Sequence, residues 1–183
     1  MLTWLKKLFA KEKEMVKPLV SDEVCIQRLC INEGLKNEPY RCSAGKLTTG
    51  IGRNLDDNPL TAEEKAFVGH NGRTKPITNE QAFYLCRNDL KRIRKELDLY
   101  FPWWRDLDIE RQFVMIDLDF NMGSTTLQTF QKTLNSIATG YYIKAGEQLL
   151  QSRYARQVGI RAERNAYCLK TGEWVVNPPK QGV

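Results

Sequence analysis

The sequence predicts an α+β fold, predominantly helical, with a small lobe containing a β-hairpin and a larger helical lobe joined by one long helix. Three observations carry this. Phe83, Cys86, Leu90, Ile93 and Leu97 recur at 3-4-3-4 spacing, the signature of one amphipathic helix. Lys46 to Ile51, followed by Gly52, reads as a short strand with backbone that must bend or be approached closely. Ile109 to Met122 is apolar on nearly every side, as a core helix is.

The elements follow in order. Met1 to Val20 reads as an extension, with Leu2, Leu5 and Phe9 on one helical face among Lys6, Lys7, Lys11 and Lys13. Such a short basic amphipathic helix either packs on the main domain, the favoured reading, or touches a membrane. Ser21, with Asp22 and Glu23 behind it, starts a helix that ends near Glu33-Gly34. A polar stretch from Tyr40 to Arg53 then turns at Ser43-Ala44-Gly45 to form the hairpin. Thr61-Ala62-Glu63-Glu64 and Thr78-Asn79-Glu80-Gln81 are capping boxes. The first opens a short helix that stops at Gly69, and the second opens the long helix, which Pro102 ends. A helix of ~20 residues spans about 30 Å, enough to join two lobes. Asp108 caps the core helix, and further helices are expected over Thr126–Thr139, Tyr141–Gln151 and Arg161–Leu169. The domain reading is therefore an extension over 1–20, a single domain over 21–176 and a tail over 177–183. Within the domain, the small lobe covers about 34–78, the connecting helix 79–99 and the helical lobe 100–176.

Composition narrows the function. Of 183 residues, 42% are hydrophobic and 27% charged, which is globular rather than disordered. The net charge of +6 attracts polyanions without choosing among nucleic acid, membrane and cell wall. No block of Lys and Arg interleaved with aromatics supports nucleic-acid binding. The five cysteines form no CxxC pair, and the single histidine, His70, reads as a loop residue. A metal site and a Ser–His or Cys–His nucleophile pair are thus disfavoured, and neither metal nor cofactor is expected. The odd cysteine count suits a reducing compartment. No apolar stretch approaches membrane-spanning length, so stable membrane insertion is not expected.

Glycoside hydrolysis needs an acid at the leaving oxygen and a second group across the bond that activates water or attacks the sugar. Glu33, at a helix end facing a hairpin, suits the first role, and the hairpin returns Cys42 and Thr48 towards it across a cleft. Glu33, eight residues, Cys42, five residues and Thr48 resemble the Glu-x8-(Asp or Cys)-x5-Thr signature of the phage lysozymes, glycoside hydrolase family 24. Asn32-Glu33-Gly34-Leu35, Tyr40, Gly45 and Thr49-Gly50-Ile51-Gly52 fit the same context. Phe120-Asn121-Met122-Gly123, Ser152-Arg153-Tyr154, Arg161, Arg164 and Thr171-Gly172-Glu173-Trp174 resemble the family's later blocks, so the likeness runs from about Ser21 to Trp174.

That resemblance implies a lysozyme-like fold and an endolysin. Its reaction would be hydrolysis of the β-1,4 bond between N-acetylmuramic acid and N-acetylglucosamine in bacterial peptidoglycan. It implies Glu33 as general acid, Thr48 beside the attacking water, and Cys42 as the third member of the site. A free thiol ionises at about 8.5, so Cys42 is a weaker base than a carboxylate at neutral pH. The resemblance further implies sugar contacts at Phe120, Thr133 and Gln148 in the far lobe. Asn54 falls at a near-lobe position where a relative carries leucine. The protein is expected to act as a monomer, to be made in host cytoplasm and to reach the wall in the periplasm once the membrane is breached. Tail-associated lysozymes and bacteriocin domains share this chemistry with other delivery, and a binding module that has lost catalysis is the rival that Cys42 allows. Arg153, Arg161 and Arg164 read as either a solvated face or a wall-contacting surface.

Overall fold

The Ser21 hydroxyl accepts from the Val24 N–H at 3.3 Å and starts α1 (Asp22–Glu33), whose acidic first turn complements the helix N-terminus. The computed structural model describes residues 17–42 and 44–179. The helical face expected for Leu2, Leu5 and Phe9, the turn residue Ser43 and the last four residues of the tail lie outside them. The last residues before Ser21 belong to the domain's packing. Val20 is buried and donates from its N–H to Gln112 Oε1 at 2.9 Å, while Gln112 Nε2 donates to the Pro18 carbonyl at 3.2 Å.

After Gly34 the chain forms β1 (Lys36–Arg41), β2 (Leu47–Gly50) and β3 (Arg53–Asn54), an antiparallel sheet in that order. Tyr40 pairs with Thr48 and Arg41 with Leu47, but the register shifts between Lys36 and Tyr40. Pro39 lies in that interval and has no N–H for the ladder. The hairpin is thus extended by a third strand that the sequence did not announce, with Thr49 opposite Arg53.

Both capping boxes form as expected, opening α2 (Ala62–Val68) and α3 (Asn79–Tyr100). The long helix serves both lobes. Ala82 and Leu85 join Leu55, Leu60, Val68 and Ile77 in the small-lobe core. Cys86, Leu90, Ile93 and Leu97 belong to the large core with α4 (Ile109–Met122), the helix whose residues from Gln112 to Asp119 are all buried. Between them Pro102–Asp106 forms a 3-10 turn that seats Trp104, fully buried, with its Nε1 donating to Asp98 at 2.8 Å.

The helix expected over Thr126–Thr139 is two: α5 (Ser124–Leu127) and α6 (Gln131–Ala138). Thr129 explains the break. Its hydroxyl donates to the Thr126 carbonyl at 2.7 Å and its N–H to the same oxygen at 3.0 Å. That pattern competes with helix continuation. Phe130 then packs edge-on against Tyr154 at 6.3 Å. The chain closes with α7 (Tyr142–Leu150), α8 (Arg153–Val158) and α9 (Ile160–Thr171). Helix α8 was not foreseen, and Ser152 caps it by accepting from the Ala155 N–H at 3.1 Å.

One buried ion cluster fastens the small lobe to the long helix. Arg53 of β3 donates to Glu64 of α2 at 3.0 Å and to Asp89 of α3 at 2.9 Å, and all three are at most 5% exposed. Asn58 adds a contact to Asp89 at 2.9 Å. Losing Arg53 leaves Glu64 without its cation and Asp89 with only Arg92 at 3.7 Å, which is far costlier than the pair's net contribution. Arg53→Met keeps the stem and removes the charge. Urea unfolding is expected to show a loss of about 3–5 kcal/mol; a loss under about 1 kcal/mol would show that the cluster is not what holds the lobe.

Candidate active site

The lobes enclose a cleft of about 1090 Å³ whose walls include Glu33, Tyr40, Cys42, Thr48, Gly52, Asn54 and Phe120. Five of the seven site residues read from the sequence therefore face one space. Thr133, buried in α6, and Gln148, whose Oε1 accepts from the Ser136 hydroxyl at 3.0 Å, do not line it. Asn54 lines it with a side chain already engaged. Its Oδ1 accepts from the N–H groups of Asp56 and Asp57, and its Nδ2 donates to Asp57 at 2.9 Å.

Glu33 is the last residue of α1. Its Oε1 accepts from Arg161 Nη1, which reaches across from α9. The opposite flank of the carboxyl is bounded by Gly52, between β2 and β3. A Cβ there would stand 2.8 Å from Glu33 Cδ and 2.9 Å from Oε2, and φ is +68°. Glycine is required twice over at this position, for the left-handed backbone and for the close approach.

Cys42 and Thr48 occupy the other side. The Cys42 N–H donates to the Lys46 carbonyl at 2.9 Å, and its own carbonyl accepts from Gly45 at 2.8 Å, which closes the hairpin turn. The Thr48 hydroxyl donates to the Lys46 carbonyl at 3.1 Å. Slight burial raises the Cys42 thiol, but hydrogen bonds from the backbone at Ala44 and Lys46 and from Thr48 outweigh it and leave the thiol below its ordinary range. Tyr40 moves the other way, raised by burial and by the neighbouring Glu33 and Cys42.

The sequence misread the arginines. Arg161 is 5% exposed and Arg164 8%, so neither forms a wall-facing surface; only Arg153 is exposed. Arg161 grips Asp117 with Nε at 3.0 Å and Nη2 at 2.8 Å while holding Glu33 with Nη1. Arg164 donates to Asn32 Oδ1 at 2.9 Å and to the Val176 carbonyl at 2.6 Å. Asn32 in turn donates to Asp117 at 2.9 Å. Burial opposes the charge of Arg161, and Asp117 and Glu33 more than restore it. The sequence signal for this was present in Asp117, an acid that follows directly on the apolar run Phe113-Val114-Met115-Ile116.

Among the described residues no group of His, Cys, Asp and Glu could hold a metal ion, and no helix is long and apolar enough to cross a membrane.

The family model described as Phage lysozyme matches residues 31–166. A probable T4-type lysozyme 1 of Dictyostelium discoideum is 28% identical over 155 residues, covering 77% of this chain and 90% of that protein. A probable T4-type lysozyme 2 from the same organism is 26% identical over 154 residues, with the same coverage. The pre-baseplate central spike protein Gp5 of Enterobacteria phage T4 is 26% identical over 152 residues, covering 77% of this chain but 26% of the spike protein.

Asp119 lines the same cleft with Arg92 and Glu96 of α3. It is 1% exposed, and neither carboxyl oxygen receives a hydrogen bond. Burial, reinforced by the Glu96 carboxylate and opposed by Arg92, pushes its carboxyl up to about 7. An acid raised by folding binds its proton more tightly in the native state. Its contribution is therefore fully present below about 4, the unfolded value, and is lost as pH rises towards about 7. Asp119→Asn is expected to unfold at higher urea concentration than the parent at pH 8 and at nearly the same concentration at pH 4. An equal difference at both pH values would contradict a titrating Asp119.

Proposed function

This chain belongs to the phage lysozyme family, and on that premise we propose that it is an endolysin acting as a muramidase. It would hydrolyse the β-1,4 bond between N-acetylmuramic acid and N-acetylglucosamine in peptidoglycan and so lyse the host cell. A lysozyme-type glycosidase is what the family provides; the bond, the residue roles and the setting are our reading. The observation that carries it is that Glu33, Cys42 and Thr48, spaced as in the family signature, face one cleft from a helix end and a β-hairpin.

In this reading Glu33 protonates the glycosidic oxygen as the bond breaks. With Oε1 held by Arg161, the free oxygen is Oε2, which lies beside Gly52. Departure of the leaving sugar builds positive charge on the ring, as in an oxocarbenium ion. Water held by the Thr48 hydroxyl and the Cys42 sulfur attacks from the hairpin side. The lowered thiol supports this, because more of Cys42 is thiolate at neutral pH than of a free cysteine, and the thiolate can take the proton of the attacking water. Phe120, in the cleft wall, offers an apolar face to a sugar ring, and Asn54 borders the near-lobe end. Thr133, which is buried, and Gln148, which is bonded to Ser136, stand outside this cleft and take no part in the proposed contacts. The enzyme would work as a monomer, made in host cytoplasm and reaching the periplasmic wall after the membrane is breached.

Glu33→Gln removes the proton and keeps the shape. Turbidity loss of purified walls is expected to slow by roughly 10²–10⁴-fold, with unchanged thermal unfolding. Cys42→Asp is expected to remain active while Cys42→Ala loses most of its rate. A folded Glu33→Gln protein that clears walls near the parent rate would end the assignment.

A further inference from the structure

One guanidinium serves two carboxyl groups behind the cleft. Asp117 is fully buried and takes four hydrogen bonds. Two come from Arg161 at 2.8 and 3.0 Å, one from Asn165 at 2.7 Å and one from Asn32 at 2.9 Å. All four are donated to it, the pattern of a group that only accepts, which is a carboxylate. Two of Arg161's three donating nitrogens are thus committed to Asp117, and Nη1 alone reaches Glu33.

This arrangement bears on a conflict in the chemistry. A general acid must enter the reaction carrying its proton. An uncompensated arginine against a carboxyl group favours the ionised form. Asp117 removes the conflict by closing Arg161 into a neutral bidentate pair, whose field at Glu33 is that of a dipole rather than a full charge. The other titratable and charged groups around Glu33 are Tyr40 from β1, Cys42 from the hairpin turn, Tyr154 from α8, and Arg164, joined to the cluster through Asn32. None of them neutralises Arg161 as Asp117 does.

We infer that Asp117 is a positioning residue for the acid: it neutralises Arg161, so that Arg161 orients Glu33 without stripping its proton. This rests on Glu33 being the acid of the proposed reaction, but its test does not require turnover.

The test follows the Glu33 side-chain carboxyl by carbon NMR in glutamate-labelled full-length protein, with the signal assigned by its absence in Glu33→Gln. In Asp117→Asn the uncompensated Arg161 is expected to move the Glu33 midpoint to lower pH by roughly one unit or more. The alkaline limb of wall hydrolysis should move with it. In the double variant Asp117→Asn/Arg161→Gln both charges are gone, together with the hydrogen bond from Nη1, and the midpoint should rise back to the parent position or above it. An unmoved midpoint in Asp117→Asn, or a uniform rate loss at every pH, would make Asp117 merely structural and overturn the inference. If Asp117→Asn does not fold, the double variant decides, since it buries no unpaired arginine: a midpoint at or above the parental one supports the inference and one below it overturns it. A parent protein that hydrolyses no wall at any pH would defeat the functional reading, while the NMR comparison would still decide this one.

Discussion

The fork of Arg161 between Glu33 and Asp117 is the contact on which the rest of the cleft depends. It joins the end of α1, the middle of α4 and the start of α9, across 128 residues of sequence in the case of Glu33. The proposed acid stands at a helix terminus, where the chain is about to leave regular structure. A buried cation supplies the missing constraint. Arg161 is in turn fixed by a carboxylate that Asn32 and Asn165 hold from two more directions. A buried ion pair contributes little net stability, because desolvation offsets the attraction. The benefit here is geometric: one rotamer of Glu33, with one oxygen held and the other bounded by Gly52.

A second cluster gives the opposite wall its rigidity. Arg53, Glu64 and Asp89 lock the sheet and α2 onto the long helix. The hairpin that carries Cys42 and Thr48 is therefore held by strand pairing on one side and by a buried arginine on the other. Both lobes thus use the same device, an arginine shared between two acids. The two differ in consequence, since only Arg161 touches a residue of the cleft's proposed chemistry. Among the described residues the buried Arg53, Arg161 and Arg164 are offset by the buried Glu64, Asp89, Asp117 and Asp119, so burial does not consume the +6 surplus.

Much of this was legible in the sequence because local rules decided it. The caps at Ser21, Thr61, Thr78 and Asp108 and the stops at Gly69 and Gly123 set helix ends by contacts within four residues. The 3-4-3-4 pattern of α3 identified the shared helix. The failures were of two kinds. At Thr129 a side chain displaced a helix that the apolar period alone would continue through. At Arg161 and Arg164, residues that usually face water were buried by partners 44 and 132 positions away, a distance no local pattern reports. The same limit explains the candidate site: Glu33, Cys42 and Thr48 lie within one short segment that resembles a family signature, whereas Asp117 and Arg161 meet only through the fold.

The relatives show one domain in different settings, since the phage spike protein is mostly other sequence. Delivery is therefore not written in the cleft, and the chemistry is what the cleft can be asked about. The most direct measurement is the identity of the new ends released when the full chain digests purified peptidoglycan, read by borohydride reduction and mass spectrometry, beside Glu33→Gln. The account predicts reduced muramic acid ends from the parent and almost none from Glu33→Gln. Reducing N-acetylglucosamine ends, or released peptides with the glycan intact, would contradict it.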